Sequence, residues 1–414
     1  MNKQIFYIAN IRIPTERAHG IQVAHMCSSF ASQIRRGLNA DLTRADAEGD
    51  GAVTLLVPDR KTIDADPFEY YGIERDFCIE KIPVPDSVRF GRIGFLIESL
   101  VFAWRAAGRV KSFREENTTP PNPPSTEGGR VTSVVYTREE LPLLFLPRKS
   151  AFYEAHQLRR SYFFRRIVRR AKGIIAITQG LKDALVQSGI PAEKIVVAHD
   201  GFDNNTNYEE DTRPTERFQS FGRAKVRKEE TRRRLGLPQS AKIAMYIGGL
   251  ESWKGAETLC KAAVFLARDN VLTAIIGGTN EEIKNLQLKY PIVQFLGARP
   301  YRELPVNQQS ADILVIPNSG SEQISREFTS PLKLFAHMAS GVPIVASRVP
   351  SLCEVLSDEA AELVAPDDPQ ALAEGIRAVL KDPAESAQRA RRAATRASAY
   401  SWDKRAENVL AYMR

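Results

Sequence analysis

Residues 328–341, FTSPLKLFAHMASG, hold a candidate anion site. Ser330 reads as an N-cap and Pro331 as a first-turn residue, where a missing N–H costs nothing. Leu332, Phe335, Met338 and Ala339 then recur as an apolar face, and Gly341 with Pro343 ends the helix. If this helix starts beyond the carboxyl end of a buried strand, its free N–H groups and dipole suit a phosphate. The same residues read equally as an ordinary capped helix. A second run, KIAMYIGGLESWKGAETL at 242–259, has the order strand, glycine loop, helix. Gly248 and Gly249 let the backbone approach a ligand, and Lys254 offers a point charge. A third such unit has Ala18, His19 and Gly20 between strand and helix. A fourth, FYEAH at 152–156, closes a strand with Glu154 and His156; singly, His156 reads as a hydrogen-bonded structural histidine.

These groups need elements to position them. The chain has 414 residues, 43% apolar and 26% charged, which can fill two cores and excludes disorder throughout. The most apolar window, 93–104, is broken by Gly94 and Glu98 and is short of the roughly 20 residues that span a bilayer. The start, MNKQIFYIAN, shows no small-residue cleavage site of a signal peptide. Four scattered cysteines and five histidines lack metal-ligand spacing, which fits reduced thiols in a cytoplasm. The net charge of +8 favours an anionic partner: nucleic acid, anionic lipid or phosphorylated small molecules.

Strands and helices alternate in two blocks, the pattern of parallel sheets covered by helices. The first block has strands at 3–10, 52–58, 133–138, 151–155, 173–178 and 194–200. Its loop ends at Gly20, and a helix carrying Val23, Cys27, Phe30 and Ile34 stops near Gly37. The second has strands at 242–247, 272–276, 293–296, 313–317 and 343–347, with a helix near 255–267. A polar insertion at 41–51 and a proline-rich stretch at 117–129 fit no element, the latter reading as mobile or extended. Residues 202–237 read as the connection between domains, with a charged surface helix at 225–235.

Eight segments in order carry a resemblance: IPTERAHGIQVAHMC (13–27), FYEAHQL (152–158), AITQGLKDALVQSGIPAEKIVVAHDGFD (176–203), YIGGLESWKGAETL (246–259), FLGARP (295–300), ADILVIPN (311–318), EFTSPLKLFAHMASGVPIVASRVPSLCEVL (327–356) and YSWDKRAENVL (400–410). Each alone is loop-and-helix grammar. Together they resemble the family 4 glycosyltransferases, retaining nucleotide-sugar-dependent enzymes of the GT-B fold. The resemblance implies an α/β chain of two Rossmann-like, doubly wound domains facing across a cleft. Residues 1–201 would form the acceptor-side domain, 202–237 the connection, 238–395 the donor domain, and 396–414 a helix crossing back to the first domain.

The same resemblance implies that Gly20, Gly249, Lys254 and the backbone of Thr329, Ser330, Pro331 and Leu332 bind the donor diphosphate. His156 corresponds to the active-site histidine that contacts the donor sugar, and His19, Glu154, Glu327 and Phe328 are further candidate contacts. The implied reaction moves a glycosyl group from a nucleoside-diphosphate sugar to a carbohydrate or lipid-linked acceptor in cell-surface glycan assembly. It uses neither cofactor nor metal ion. Two departures stand out. The family's paired glutamates across this helix are Phe328 and Ala336 here, and an arginine common after the first strand of the second domain is Gly249. Losing the second glutamate removes a charge-assisted hydrogen bond on the order of 1.5–3 kcal/mol. A non-catalytic nucleotide- or glycan-binding homologue is therefore the alternative reading. A nucleotide-sugar epimerase would need a pair of acid/base carboxylates, and none is evident.

Residues 159–172, RRSYFFRRIVRRAK, complete the inventory. On a helix, Phe163, Phe164, Ile167, Val168 and Ala171 share one face, and Arg165, Arg166, Arg169 and Arg170 the other. That reads as a sheet-packed helix with a solvated basic face, or as an adsorption site for anionic membrane. The second reading suits a protein peripheral to the inner face of the membrane. No groove-reading motif or stacking platform accompanies the charge, which argues against nucleic acid.

Overall fold

The computed structural model describes residues 3–37, 52–118, 132–159, 161–203 and 221–414. The insertion at 41–51, the proline-rich stretch from residue 119 onward, and Arg160 lie outside them. The chain divides into two compact units: Met1–Ile177, Leu181–His199 and Trp402–Arg414 form one, and Thr178–Gly180 with Asp200–Ser401 the other.

The first unit opens with β1 (Lys3–Ile8), α1 (Ala18–Gly37), β2 (Val53–Pro58), α2 (Pro67–Tyr71), β3 (Cys78–Ile82) and α3 (Gly91–Thr118). It continues through β4 (Thr132–Thr137), α4 (Pro142–Phe145), β5 (Ala151–Ala155), α5 (Tyr162–Val168), β6 (Gly173–Ala176), α6 (Gln179–Gln187) and β7 (Ile195–Val197). The strands form one sheet in the order β3-β2-β1-β4-β5-β6-β7, all parallel. Strands buried on both faces are near-continuous apolar runs, as in β6, GIIA, where every residue is buried.

The second unit holds α7 (Phe221–Arg234), β8 (Lys242–Ile247), α8 (Ala256–Leu266), β9 (Val271–Ile276), α9 (Asn280–Lys289), β10 (Gln294–Phe295) and α10 (Leu304–Gln309). After β11 (Ile313–Ile316) come α11 (Leu332–Ala339), β12 (Ile344–Ser347), α12 (Pro350–Cys353), β13 (Glu362–Val364), α13 (Pro369–Lys381) and α14 (Pro383–Ala397). Its parallel sheet runs β10-β9-β8-β11-β12-β13. The last helix, α15 (Trp402–Tyr412), packs on α1 and belongs to the first unit.

In each sheet the strand order reverses once, between β1 and β4 and between β8 and β11. The crevice outside the carboxyl ends of strands at such a reversal is where open α/β sheets take ligands.

Several expectations need correction. The first helix begins at Ala18, so His19 and Gly20 lie in its first turn rather than in the loop. The helix expected at 225–235 is more than a charged surface element within an interdomain connection. It packs on α10 inside the second unit, and Arg232, buried, donates to the carbonyls of Ser310 and Ala241 and pairs with Asp312 at 2.7 Å. In α5 the face is also different: Phe164, Ile167 and Val168 are buried, but Phe163 is exposed.

Candidate functional site

In the first unit, β5 delivers Glu154 to the interior and His156 to the residue just beyond the strand. Glu154 is fully buried, and its carboxylate accepts from Gln22 Nε2 at 2.6 Å, Tyr136 Oη, His156 Nε2 at 2.5 Å and Arg405 Nη1 at 3.2 Å. Gln22 comes from α1, Tyr136 from β4 and Arg405 from α15, so four elements converge on one carboxylate. Burial alone would raise the Glu154 pKa, but Arg405 and His156 outweigh it and hold the carboxyl well below the usual range. The Glu154 side chain is 0% exposed, and all of its described partners are groups of the first unit.

His156 keeps 18% exposure. Burial first, then Arg138, lowers its pKa to about 4 against the opposing pull of Glu154. The ring is neutral at pH 7, and since a carboxylate only accepts, Nε2 carries the proton. Nδ1 is left as an acceptor. His19 is lowered to about 4 as well, by burial and then by Arg138 and Arg17. Arg138 follows β4, at the point of strand reversal, and its Nη1 is buried with no hydrogen-bond partner among the described residues. Gly20 is needed for packing: a Cβ there would run into the Tyr71 hydroxyl and come within 2.5 Å of Thr15 Cγ2. That hydroxyl accepts from Thr15 N at 2.8 Å and donates to Thr15 O at 3.0 Å, which locks the loop before α1.

In the second unit, β8 ends into Gly248 and Gly249. A Cβ at Gly249 would lie 2.7 Å from Lys254 Nζ and closer still to the Glu251 carboxylate, so a side chain there would require both to swing aside. Lys254 pairs with Glu251 at 2.8 Å and lies over the Trp253 ring. Lys333, from the first turn of α11, sits 4.2 Å above the Tyr246 ring. Its Nζ is buried with no hydrogen-bond partner among the described residues. Burial, then the charge of Lys254, drives its pKa well below the ordinary lysine value. Lys333 stands inside an apolar run, and sequence reasoning passed over it; its charge between Leu332 and Leu334 was the available signal. Asn318, just past β11, also keeps both amide atoms buried without a partner among the described residues.

The helix start differs from its expected form. Pro331 is the N-cap of α11, and the Ser330 hydroxyl accepts from Asp200 N at 2.8 Å instead of capping. Leu332 and Ala339 are only half-buried, whereas Leu334, Phe335, Ala336, His337 and Met338 are buried, so the helix is enclosed on more than one face. The N–H groups of Leu332 and Lys333 have no acceptor within the helix, as at any helix start. Thr329 and Phe328 are buried beside them. The Glu327 carboxylate accepts from Gln323 at 2.9 Å and Arg326 at 3.0 Å. Ala336 lies in an apolar cluster with Phe202, Ile316 and Leu352. The second unit thus brings Gly249, Lys254 and Lys333 together; His19, Gly20, Glu154 and His156 belong to the first.

Residues 227–397 match the family described as Glycosyl transferases group 1. A D-inositol 3-phosphate glycosyltransferase of Corynebacterium efficiens is 32% identical over 188 residues, 42% of this chain and 43% of that protein. The Streptomyces avermitilis protein of the same name is 30% identical over 261 residues, 57% of this chain and 50% of that one. The chain spans about half the length of the curated relatives it matches. Among solved structures, Anabaena Alr3699/HepE in complex with UDP-glucose aligns with a TM-score of 0.65 at 17% identity, over 99% of this chain and 98% of that one. Sucrose-phosphate synthase from Thermosynechococcus elongatus gives 0.68 at 18% identity, over 99% and 98%. At such identities the likeness establishes the fold: two parallel-sheet α/β units of the GT-B architecture.

Proposed function

We propose that this chain, with a group 1 glycosyltransferase match on a GT-B fold, moves a glycosyl group from a nucleoside-diphosphate sugar to a carbohydrate or lipid-linked acceptor, with retention of configuration. The observation that carries the reading is the buried Lys333 Nζ, without a hydrogen-bond partner among the described residues, beside Lys254 at the β8 glycine loop. A buried cation without a partner is costly, and a diphosphate supplies the missing charge. The relatives' names and the UDP-glucose complex of the Anabaena protein support a nucleotide-sugar donor.

In this mechanism the chain supplies no nucleophile. As the glycosyl–oxygen bond breaks, charge grows on the leaving diphosphate, and Lys254, Lys333 and the N–H groups at Thr329, Ser330 and Leu332 stabilise it in place of a metal ion. Gly249 keeps the approach open and Gly20 lets the loop before α1 close up. His156, oriented by Glu154, accepts a hydrogen bond from a donor-sugar hydroxyl at Nδ1. The acceptor hydroxyl attacks the face the diphosphate leaves and passes its proton to the departing diphosphate oxygen. All four cysteines are free, which fits a reducing, cytoplasmic compartment.

Ala336, closed into an apolar cluster, favours a second reading, a non-catalytic nucleotide-binding homologue. Thermal shift and calorimetry with nucleoside diphosphates and their sugars, with and without EDTA, separate the two. Glycosyl transfer requires a ligand that raises the melting temperature of the wild type, fails to do so in Lys254→Ala, and is turned over with acceptor. Binding without turnover supports the homologue. No binding by any of them overturns both.

A further inference from the structure

The first unit carries a helix whose exterior does not suit water. In α3 the inner side is built from Phe102, Ala103, Ala106 and Val110, all buried. Its outer side and the turn before it remain apolar: Phe90 is 67% exposed, Ile93 73%, Leu96 52% and Trp104 59%. A helix apolar all round is ordinarily covered all round, and an exposed apolar surface of this kind marks an interaction site.

Topology fixes what shares that side of the sheet. The connections β3 to β4, β4 to β5 and β5 to β6 all run in the same direction across the sheet, so right-handed crossovers put α3, α4 and α5 on one face. α3 packs on α4, and Arg170 ties the end of α5 to α4 by donating to the carbonyls of Leu143 at 2.6 Å and Leu146 at 3.1 Å. Beside that junction lies a cavity of about 430 Å³ lined by Arg170 itself with Arg148, Lys149, Tyr162, Arg165, Arg166 and Arg169. Among the described residues no carboxylate pairs with any of these six cations, although Arg169 donates to the Gly189 carbonyl at 2.8 Å. Lys149 holds a left-handed backbone, φ 57°, uncommon for a residue with a side chain. Phe163 stands exposed within the basic stretch, contrary to a simple two-faced helix.

We propose that this face docks on an anionic lipid bilayer: the arginine cavity takes phosphate headgroups, and Phe90, Ile93, Leu96 and Trp104 enter the interface beneath them. Cations with no carboxylate partner among the described residues argue for an anionic surface, and the apolar side chains on the same face argue for one with a hydrocarbon interior. A soluble anion would satisfy the cavity alone. A second copy of the chain would cover α3 but would bring the same basic face. The inference does not depend on glycosyl transfer.

The test is flotation of the full chain with neutral phosphatidylcholine vesicles and with vesicles containing anionic phospholipid. Recovery should be at least ten-fold higher with anionic vesicles and fall with salt. Arg165→Glu/Arg166→Glu and Ile93→Ser/Leu96→Ser should each lose most of it while keeping the wild-type melting temperature. These positions are solvent-exposed or half-exposed, so the fold tolerates the changes. Lipids brominated on the acyl chains should quench tryptophan fluorescence in the wild type and not in Trp104→Phe. Equal recovery from both vesicle types, flotation without quenching, or binding of inositol hexakisphosphate with no flotation would each overturn the proposal. So would a dimer in light scattering that Ile93→Ser/Leu96→Ser dissociates.

Discussion

Glu154 of β5 and Arg405 of α15, 251 residues apart in sequence, meet at 3.2 Å with side chains 0% and 2% exposed. The pair fastens α15 to the sheet: Arg405 also donates to the carbonyl of His199 at 2.8 Å. It simultaneously orients His156, so stability and site geometry rest on one carboxylate. Glu154→Gln should cost about 3–5 kcal/mol, because it leaves a buried guanidinium uncompensated. Arg405→Met should cost a similar amount, and the double variant less than the sum; urea unfolding of all three measures the coupling. Because the folded pKa of Glu154 is depressed, its contribution is fully present above the unfolded value near ~4.3 and is lost as pH falls through the folded pKa. Glu154→Gln should therefore flatten the acid limb of the stability curve.

Lys333 should behave in the opposite sense. Without ligand, Lys333→Met removes a buried amine that has no hydrogen-bond partner among the described residues and should raise the melting temperature, while weakening nucleoside-diphosphate binding by about ten-fold or more. Since the folded pKa of Lys333 lies below that of the unfolded chain, the unfolded state holds the extra proton between the two values. Ligand-free stability therefore rises with pH across that window, and Lys333→Met should lose this component of the slope. A bound diphosphate should raise the Lys333 pKa again. Calorimetry in buffers of different ionisation enthalpy would record proton uptake in the wild type and its absence in Lys333→Met.

His156→Ala should lower turnover by about 10²-fold and leave the diphosphate-induced melting shift intact, since one preorganised contact is lost. With its pKa lowered to about 4, His156 stays neutral across the usual assay range. The pH–rate profile should show no limb near ~6.5, the ordinary histidine value, and a loss only as pH falls toward 4. A limb near ~6.5 that disappears in His156→Ala would refute this assignment.

Gly20→Ala should destabilise the ligand-free protein by about 1–3 kcal/mol, because the new methyl group occupies the place of the Tyr71 hydroxyl. Adding Tyr71→Phe should recover part of that loss in thermal unfolding. If Gly20 served only a ligand, Gly20→Ala would unfold like the wild type.

The buried strands are legible from sequence because both their faces are apolar, as in VTLLVP of β2 and ILVI of β11. The edge strands β3 and β13 are not: CIEKI is largely half-exposed and ELV has three residues, so neither carries a strong pattern. The apolar composition of α3 is evident in the residue list, but which side it leaves uncovered depends on the packing of α4. Of the candidate site, Lys254 and the glycine loop follow from local spacing, whereas His156 is picked out only by the resemblance of FYEAHQL. Lys333 looks like a stray charge in a core helix until Tyr246 and Lys254 are placed next to it. Glu154 and Arg405 have no local signal relating them at all, since only the fold joins α15 to β5.

That junction also orders events during synthesis. A ribosome adding roughly 5–20 residues per second needs on the order of 10–50 s to travel from Glu154 to Arg405. Throughout that interval the nascent first unit holds a carboxylate without its guanidinium and an α1 surface without α15. The second unit, whose residues are made in the meantime, can complete its sheet first. Chaperone dependence and protease sensitivity of the nascent chain should therefore concentrate in the half that emerges earliest.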